Sequence, residues 1–481
     1  MSDILLSSPL WSLFLFSLIP ISLKVLNKNK ESSLFLSSGV ILIGIFTSLV
    51  LLFLIWPSSN IEIKTLFSGA MVFNELRAIA SLVLLLVGTF IVLMSIQQPQ
   101  VNENIFSEIL FLKMGSLQGL FILLWSGHLL MAFIGLELAS LSFYLLIALG
   151  RTGSQALKAS FKYFVLGSVA SAILLYGISF VLGSSGHFDL QRIFQQSPEL
   201  MTSSRLLTLG LIFVLVGFLF KVSIFPFHFW LPDVYRGSFT PLLVLMATGL
   251  KLVIFILLFE WTKNMFSLLE FSGLLSLFQW LAVLSVLFGN IIALLQKDFK
   301  KMLLFSTVAH SGYLLMILIV SQMGFSFGKT ALLYYLMVYI GTTLGIFICL
   351  RPFEKRDSVA LSLSELDGLV HQKPFHAFLI TLFLLSLAGI PPTGGFVSKL
   401  FVFQALLDQG LWWMLFWAIL GSSVALFYYL KPIALMYMQK DLQVREKKVF
   451  VSLPRFLTSC LMLLSGFVLV SGLIPSLFIF G

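Results

Sequence analysis

The hydrophobic pattern of the chain is a series of apolar runs of about 20 residues, separated by short polar segments. Continuous runs of this length predict transmembrane helices, because the strands of a membrane barrel would alternate apolar and polar residues. We expect fourteen spans, of which the seventh and twelfth are interrupted by proline and the twelfth is too long for one crossing. Their expected bounds are 5–23, 34–56, 77–96, 107–127, 129–149, 161–183, 205–228, 239–260, 275–295, 301–321, 328–350, 375–407, 411–437 and 455–479.

The polar segments between the runs are short, so we expect no sizeable soluble domain. Residues 61–74 alternate around Ser68 and Gly69, which predicts an external β-hairpin. Residues 188–200 are interpreted as a surface helix, and residues 362–370 as a short amphipathic helix on the inner face. The predicted class is an all-α polytopic membrane protein.

The two proline interruptions lie five spans apart, Pro226 in the seventh span and Pro391 with Pro392 in the twelfth. An odd offset places the two broken helices in opposite directions across the membrane. This predicts two inverted five-helix repeats, formed by helices 4–8 and 9–13. The expected segments are 1–106 with three helices and a periplasmic hairpin, 107–260 as the first repeat, 270–437 as the second, and 438–481 as the last loop and helix.

The composition supports a membrane protein, since 59% of the residues are hydrophobic and 10% are charged, against about 25% charged in soluble domains. With the N-terminus outside, the inward loops carry 20 Lys and Arg residues and the outward loops carry 6. This bias predicts that both termini lie outside. The net charge of +10 is then mostly a topology signal, so we expect no nucleic-acid partner. Cys349 and Cys460 lie in separate apolar runs, without disulfide or metal spacing.

Four ionisable residues lie deep within apolar runs: Glu137, Lys221, Lys251 and Lys399. A lysine at the bilayer centre costs about 2.5–3.5 kcal/mol on insertion scales. One carboxylate cannot neutralise three lysines. Burial lowers the pKa of a lysine and a nearby carboxylate raises it, so a lysine with a movable partner can take up and release a proton. The four residues therefore indicate a proton relay, and the alternative is an ion pair that only holds helices together.

Two histidines are candidates for an auxiliary proton path. His228 lies just beyond the seventh-span break, and His310 lies in the polar sequence LLFSTVAHSGYLLM. A histidine can pass protons through either ring nitrogen, although each could instead be a hydrogen-bonded helix contact. Lys113 lies near the inner end of its span and is expected to extend to the surface. The sequence contains no phosphate loop, dinucleotide fingerprint, nucleophile elbow or metal-ligand cluster.

These motifs together resemble the antiporter-like membrane subunits of respiratory complex I, the proton-translocating NADH-quinone oxidoreductase. The resemblance covers essentially the whole chain. It is carried by GLELASLSFYLL around Glu137, FKYFVLGSVASAILLYG at 161–177, FKVSIFPFHFWLPDVYRG at 220–237, FSTVAHSGYLL at 305–315, PPTGGFVSKLFVF at 391–403 and FYYLKPIALMY at 427–437.

The resemblance implies fourteen helices, with helices seven and twelve broken. It assigns Glu137 to helix five, Lys221 to its partner position on helix seven, Lys251 to the central lysine on helix eight, and Lys399 to the terminal lysine on helix twelve. His228 and His310 match polar positions along a hydrated axis. Subunit M usually has glutamate at the helix-twelve position, and subunit L has a lateral helix after the core, so the chain differs from both.

The resemblance further implies a translocase subunit that has no redox centre, cofactor or metal of its own. The complex would hold FMN and iron–sulfur clusters, with quinone as substrate. Expected partners are subunit M, the small membrane subunits and the lipid bilayer of a bacterial inner membrane. Two alternatives remain open: a subunit of a multisubunit cation/proton antiporter, and an independent solute transporter with inverted repeats, which would need a substrate pocket at the midplane.

Overall fold

The computed structural model describes residues 2–26, 30–57, 63–96, 105–149, 154–189, 192–193, 205–271, 274–353, 361–438 and 453–478. Within them the chain is helical apart from one two-stranded hairpin. Most of the surface helix predicted at 188–200 lies outside the described residues. The chain divides into two compact units: residues 1–222 with 236–274, and residues 223–235 with 275–481.

The helices follow the predicted spans closely. Their bounds are α1 Ser2–Leu6, α2 Ser8–Leu26, α3 Lys30–Leu54, α4 Glu75–Ser95, α5 Phe106–Leu124, α6 Leu129–Leu149, α7 Ser154–Ser185, α8 Arg205–Lys221, α9 Leu231–Gly237, α10 Thr240–Phe271, α11 Leu274–Leu294, α12 Phe299–Gln322, α13 Gly328–Leu350, α14 Leu369–Gln372, α15 Pro374–Ala388, α16 Gly394–Asp408, α17 Trp412–Met438 and α18 Arg455–Leu473.

Eleven of the described helices are long and apolar enough to cross a membrane. The other three predicted spans correspond to α2 and to two broken helices, α8 with α9 and α15 with α16. The predicted all-α polytopic class is confirmed.

Both predicted breaks are present, because proline and glycine end each helix locally. The helix α8 ends at Lys221, and the peptide bond between Phe225 and Pro226 is cis. The helix α15 ends at Ala388, where Gly389 adopts a left-handed φ of 82°, and the Pro391–Pro392 bond is also cis. Each break leaves helix-terminal carbonyl groups without an intrahelical partner.

The predicted hairpin in the first unit is also confirmed. Strand β1, Lys64–Leu66, pairs antiparallel with β2, Met71–Phe73. Ser68 has a left-handed φ of 56° in the connecting turn. After the hairpin, the side chain of Asn74 accepts a hydrogen bond from the Arg77 amide and caps α4.

A close helix crossing in the first unit joins α5 to α6 at Gly119 and Gly135. A Cβ atom on Gly119 would meet the backbone of Ala139 and the Gly135 carbonyl. Only residues without a side chain permit this approach, which is the usual role of small residues at membrane helix interfaces. This crossing positions the face of α6 that carries Glu137.

In the second unit α12 and α13 are the most buried helices. The helix α13 packs against α15, α16 and α18. The amphipathic helix predicted at 362–370 is instead a 3-10 turn, Leu363–Leu366, followed by the single turn α14. The interruption is Gly368, whose left-handed φ of 65° ends the first turn and whose amide donates to the Leu435 carbonyl.

Candidate functional site

Lys221 is the last residue of α8, directly before the first break, and its side chain is buried. Its ammonium group donates a hydrogen bond of 2.7 Å to Ser140 Oγ. It also lies 5.9 Å from the centre of the Tyr144 ring, within the range of a cation–π contact. Ser140 and Tyr144 follow Glu137 by three and seven residues on α6, so the three side chains share one helix face.

Glu137 is partly buried and accepts a hydrogen bond from Ser171 Oγ on α7. No ion pair within 4 Å joins Glu137 to Lys221 among the described residues. They interact electrostatically over a longer distance. The reason is that each charge has a serine hydroxyl as its nearest partner, Ser171 for the carboxylate and Ser140 for the ammonium group.

Lys251 lies on α10 and is buried within the same unit as Glu137 and Lys221. The helix α10 packs against α4 and α5. Thr248, nearly one turn earlier, is fully buried and donates its hydroxyl proton to the Val244 carbonyl. The structure therefore brings three of the four predicted residues into the first unit.

Lys399 belongs to the second unit and is buried on α16, just after the second break. Its ammonium group donates to the Ala388 carbonyl at 2.6 Å and to Ser422 Oγ at 3.0 Å. Ala388 is the last residue of α15, so Lys399 satisfies a carbonyl that the break leaves free. The partial negative charge at that helix end also favours a cation. The Tyr313 ring centre lies 5.8 Å from the ammonium group.

The two lysines beside the breaks therefore have similar surroundings. Each ammonium group has one serine hydroxyl within hydrogen-bond distance and one tyrosine ring within 6 Å. The sequence did not reveal these partners for Lys399, because Ser422 is 23 residues away. For Lys221 the sequence did offer a signal, because the spacing of Ser140 and Tyr144 from Glu137 places all three on one face of a helix.

His310 lies in a network of aromatic hydroxyls on α12, α13 and α17. Its Nδ1 is 2.8 Å from the Tyr335 hydroxyl, and its Nε2 is 3.5 Å from the Tyr429 hydroxyl. A small cavity of about 10 Å³ is lined by both His310 and Lys399, together with hydroxyl groups such as that of Ser386. Its volume is close to the minimum that one water molecule needs.

His228 has different surroundings. Its ring lies between Phe225 and Phe229, at centroid distances of 5.6 Å and 4.9 Å. The Pro226 carbonyl is near the ring, but Nδ1 is buried without a hydrogen bond of good geometry. The two predicted auxiliary histidines thus belong to the second unit, and only His310 lines a cavity with a predicted lysine.

The structure also reveals two further buried cations, and for one of them, Lys113, the sequence prediction was wrong. Lys113 does not extend to the surface: its exposed fraction is 1%, and its ammonium group lies 2.5 Å from Ser95 Oγ and 4.6 Å from the Phe239 ring centre. Arg77, near the start of α4, is buried and ion-paired with Glu260 of α10. Within the described residues, no three His, Cys, Asp or Glu side chains are grouped as metal ligands.

Comparisons with known proteins agree with the helical membrane fold described above. The profile of the NADH:quinone oxidoreductase/Mrp antiporter transmembrane family matches residues 126–427. The chain is 41% identical over 443 residues to NADH-quinone oxidoreductase subunit N of Bdellovibrio bacteriovorus, covering 92% of this chain and 90% of that protein. Among solved structures, a chain of respiratory complex I from Thermus thermophilus is 28% identical, with a TM-score of 0.79 and 98% of each chain covered.

A chain of the Mrp complex from Dietzia shares the fold, with a TM-score of 0.78, but is only 19% identical while covering 99% of this chain and 96% of that chain. At that identity the likeness is to the fold alone. The sequence match over most of the length is with the first two proteins. The chain therefore belongs to the NADH:quinone oxidoreductase/Mrp antiporter family of membrane proteins.

Proposed function

We propose that this chain is subunit N of a proton-translocating NADH-quinone oxidoreductase, in which electron transfer to quinone drives protons across the membrane. The relative at 41% identity carries that name. The observation that best supports proton transfer through this chain is the cavity shared by His310 and Lys399. A histidine, a lysine and hydroxyl groups around a water-sized space can exchange protons.

The proposed relay consists of Glu137, Lys221, Lys251 and Lys399, with His228 and His310 as auxiliary residues. Hydroxyl groups suit such a path because each can donate and accept at once. Two such hydroxyl groups lie next to relay lysines, Ser140 beside Lys221 and Ser422 beside Lys399. We assign the uptake step to Lys251 and the release step to Lys399. FMN and iron–sulfur clusters are assigned to other subunits of the proposed complex.

The Glu137–Lys221 pair is the proposed switch. Because each charge has its own serine partner, the two can separate without leaving an unpaired buried group. A closer approach of carboxylate and ammonium would favour the charged lysine, and separation would favour loss of its proton. Moving one proton against 100 mV needs about 2.3 kcal/mol, which is within the range of energies measured for close charge pairs.

The test is proton pumping by the complex in membrane vesicles, measured together with NADH oxidation. We expect Lys221→Ala to abolish pumping in an assembled complex. Ser140→Ala removes a hydrogen bond to a charged group, worth about 1.5–3 kcal/mol, and should lower the pumping rate about tenfold or more. Ser142→Ala is the matched control, because the Ser142 hydroxyl donates to the Leu138 carbonyl of its own helix. Normal pumping in the Lys221 variant would refute the relay.

The alternative is a cation/proton antiporter subunit, which the family description also includes. The shared fold does not separate the two, but the subunit N relatives favour the oxidoreductase. Neighbouring genes for complex I subunits would support the proposal, and neighbouring antiporter genes would contradict it. In the proposed assembly the partners are subunit M and the small membrane subunits. The location is a bacterial inner membrane, with both termini on the periplasmic side.

A further inference from the structure

A large apolar cavity opens within the first unit. Its volume is about 750 Å³. It lies between α2, α5, α6 and the hairpin, and aromatic and aliphatic side chains such as Trp11, Phe14, Phe111 and Leu141 form most of its wall. None of Glu137, Lys221 or Lys251 lines it. A cavity of this size is in the range of small-molecule binding sites.

The cavity is elongated along α6. Its lining extends from Met131, near the start of the helix, to Leu145. These residues are fourteen apart, which corresponds to about 21 Å of helix. Phe67 and Met71 of the hairpin line the same cavity. Its shape therefore suits a long hydrocarbon chain that enters near the hairpin.

One side-chain amide nitrogen within this wall has no hydrogen-bond partner. Gln118 of α5 lines the cavity and is 9% exposed, and its Nε2 is buried without a hydrogen bond. An unpaired buried amide is unfavourable, and a flip of about 180° about its last torsion, which is broad and roughly two-fold, exchanges the ends of the amide. The position is six residues before the end of α5, about 9 Å along the helix.

That depth decides which ligand fits. The hydrocarbon core of a bilayer is about 30 Å thick, and the ester oxygens of phospholipids lie at its border. Gln118 lies well inside a helix that is about that long. A prenylated quinone, in contrast, carries carbonyl oxygens on a ring that enters the hydrocarbon region, and its quinol carries hydroxyls. The amide can donate to the first and accept from the second.

We propose that this cavity is a binding site for a membrane quinone or quinol, with the ring at Gln118 and the isoprenoid chain along α6. The site holds the molecule without changing its oxidation state, since no electron carrier is assigned to this chain. It is independent of the proposed proton relay.

The experiment uses the intact complex in lipid nanodiscs and a quinone with a photoreactive diazirine on a ten-carbon tail. After illumination, mass spectrometry of peptides locates the label. We expect labelled peptides from α2, α5 and α6, with labelling lowered by excess decyl quinone. Gln118→Leu should lower this labelling about tenfold, the effect of losing one hydrogen bond, while labelling at the separate reaction site of the complex stays unchanged.

A second pair of variants tests the cavity itself. Leu141→Trp places a larger side chain in the wall, and Ile134→Trp makes the same kind of change at another exposed position of α6 that does not line the cavity. Only the first should abolish labelling. The proposal is refuted if Leu141→Trp and Ile134→Trp are labelled alike. It is also refuted if a diazirine-bearing phosphatidylcholine labels the same peptides and decyl quinone does not compete with it.

Because the readout needs no proton pumping, its failure and the failure of the relay are distinguishable. A complex that pumps normally but binds no quinone at Gln118 overturns this inference alone. A complex that binds quinone there while Lys221→Ala pumps normally overturns the relay alone.

Discussion

The ion pair between Arg77 and Glu260 makes the sharpest prediction about stability. Arg77 follows the hairpin on α4, and its guanidinium forms two contacts with Glu260 Oε2, at 2.8 Å from Nε and 2.6 Å from Nη2. Its Nη1 donates to the carbonyls of Val72 and Ser126, at 3.0 Å and 2.9 Å. One side chain thus ties the hairpin, the end of α5 and the Lys251 helix together. We expect Arg77→Met to release the hairpin.

The expected loss of stability depends on the surroundings of the Glu260 carboxylate once its arginine partner is removed. Breaking a buried ion pair by removing one partner typically costs about 3–5 kcal/mol, because the remaining charge is buried without compensation. The Glu260 side chain is 18% exposed and keeps a hydrogen bond of 2.7 Å from Asn74, so water and that amide reduce the cost. We therefore expect the lower end, about 3 kcal/mol, which corresponds to roughly a 150-fold change in the opening equilibrium.

Hydrogen–deuterium exchange measures this opening directly. The Val72 amide donates to the Trp125 carbonyl at 2.8 Å, so it exchanges only when the hairpin separates from α5. In the solubilised complex, peptides spanning 64–73 should exchange about 100-fold faster in Arg77→Met than in the parent. Peptides from α13 in the second unit should be unchanged.

Thr65→Val is the matched control, because it changes an exposed side chain on strand β1 of the same hairpin. Its exchange should stay close to that of the parent. A second check is the pair of Arg77→Met with Glu260→Gln, which should cost less than the sum of the single changes. Equal exchange rates of peptides 64–73 in Arg77→Met and in the parent would refute the role of Arg77 in holding the hairpin.

Two further predictions concern the second lysine site and the helix crossing. Ser422→Ala removes a hydroxyl partner of Lys399 and should lower proton pumping about tenfold, whereas Ser423→Ala, whose hydroxyl bonds its own helix, should leave the pumping rate of vesicles unchanged. Gly119→Val forces a Cβ atom onto the backbone of α6 and should destabilise the chain by about 3 kcal/mol or more, measured as heat-induced loss of the subunit from the complex. Gly183→Val, with open space around its Cβ, should show no comparable loss, and equal losses would contradict the packing argument.

The number and place of the membrane helices could be predicted from the sequence, and so could the breaks and the hairpin. Each depends on a local cause. The bilayer thickness sets the length of an apolar run, Pro226 and Pro391 remove backbone donors where they stand, and Ser68 with Gly69 accepts the left-handed turn. The buried charges were also recognisable, because an ionisable residue within an apolar run is rare.

The partners of those charges were decided by the tertiary structure alone. Ser140 lies 81 residues from Lys221, and Glu260 lies 183 residues from Arg77, so no local pattern relates them. The partners of Lys113 were also not predictable from the sequence. Its ammonium group contacts Ser95 and the Phe239 ring and does not extend to the surface. The length of an apolar run and the residue preferences of a turn are set by residues that are neighbours in the sequence. Hydrogen bonds and burial depend on which helices pack together, and only the folded chain determines that.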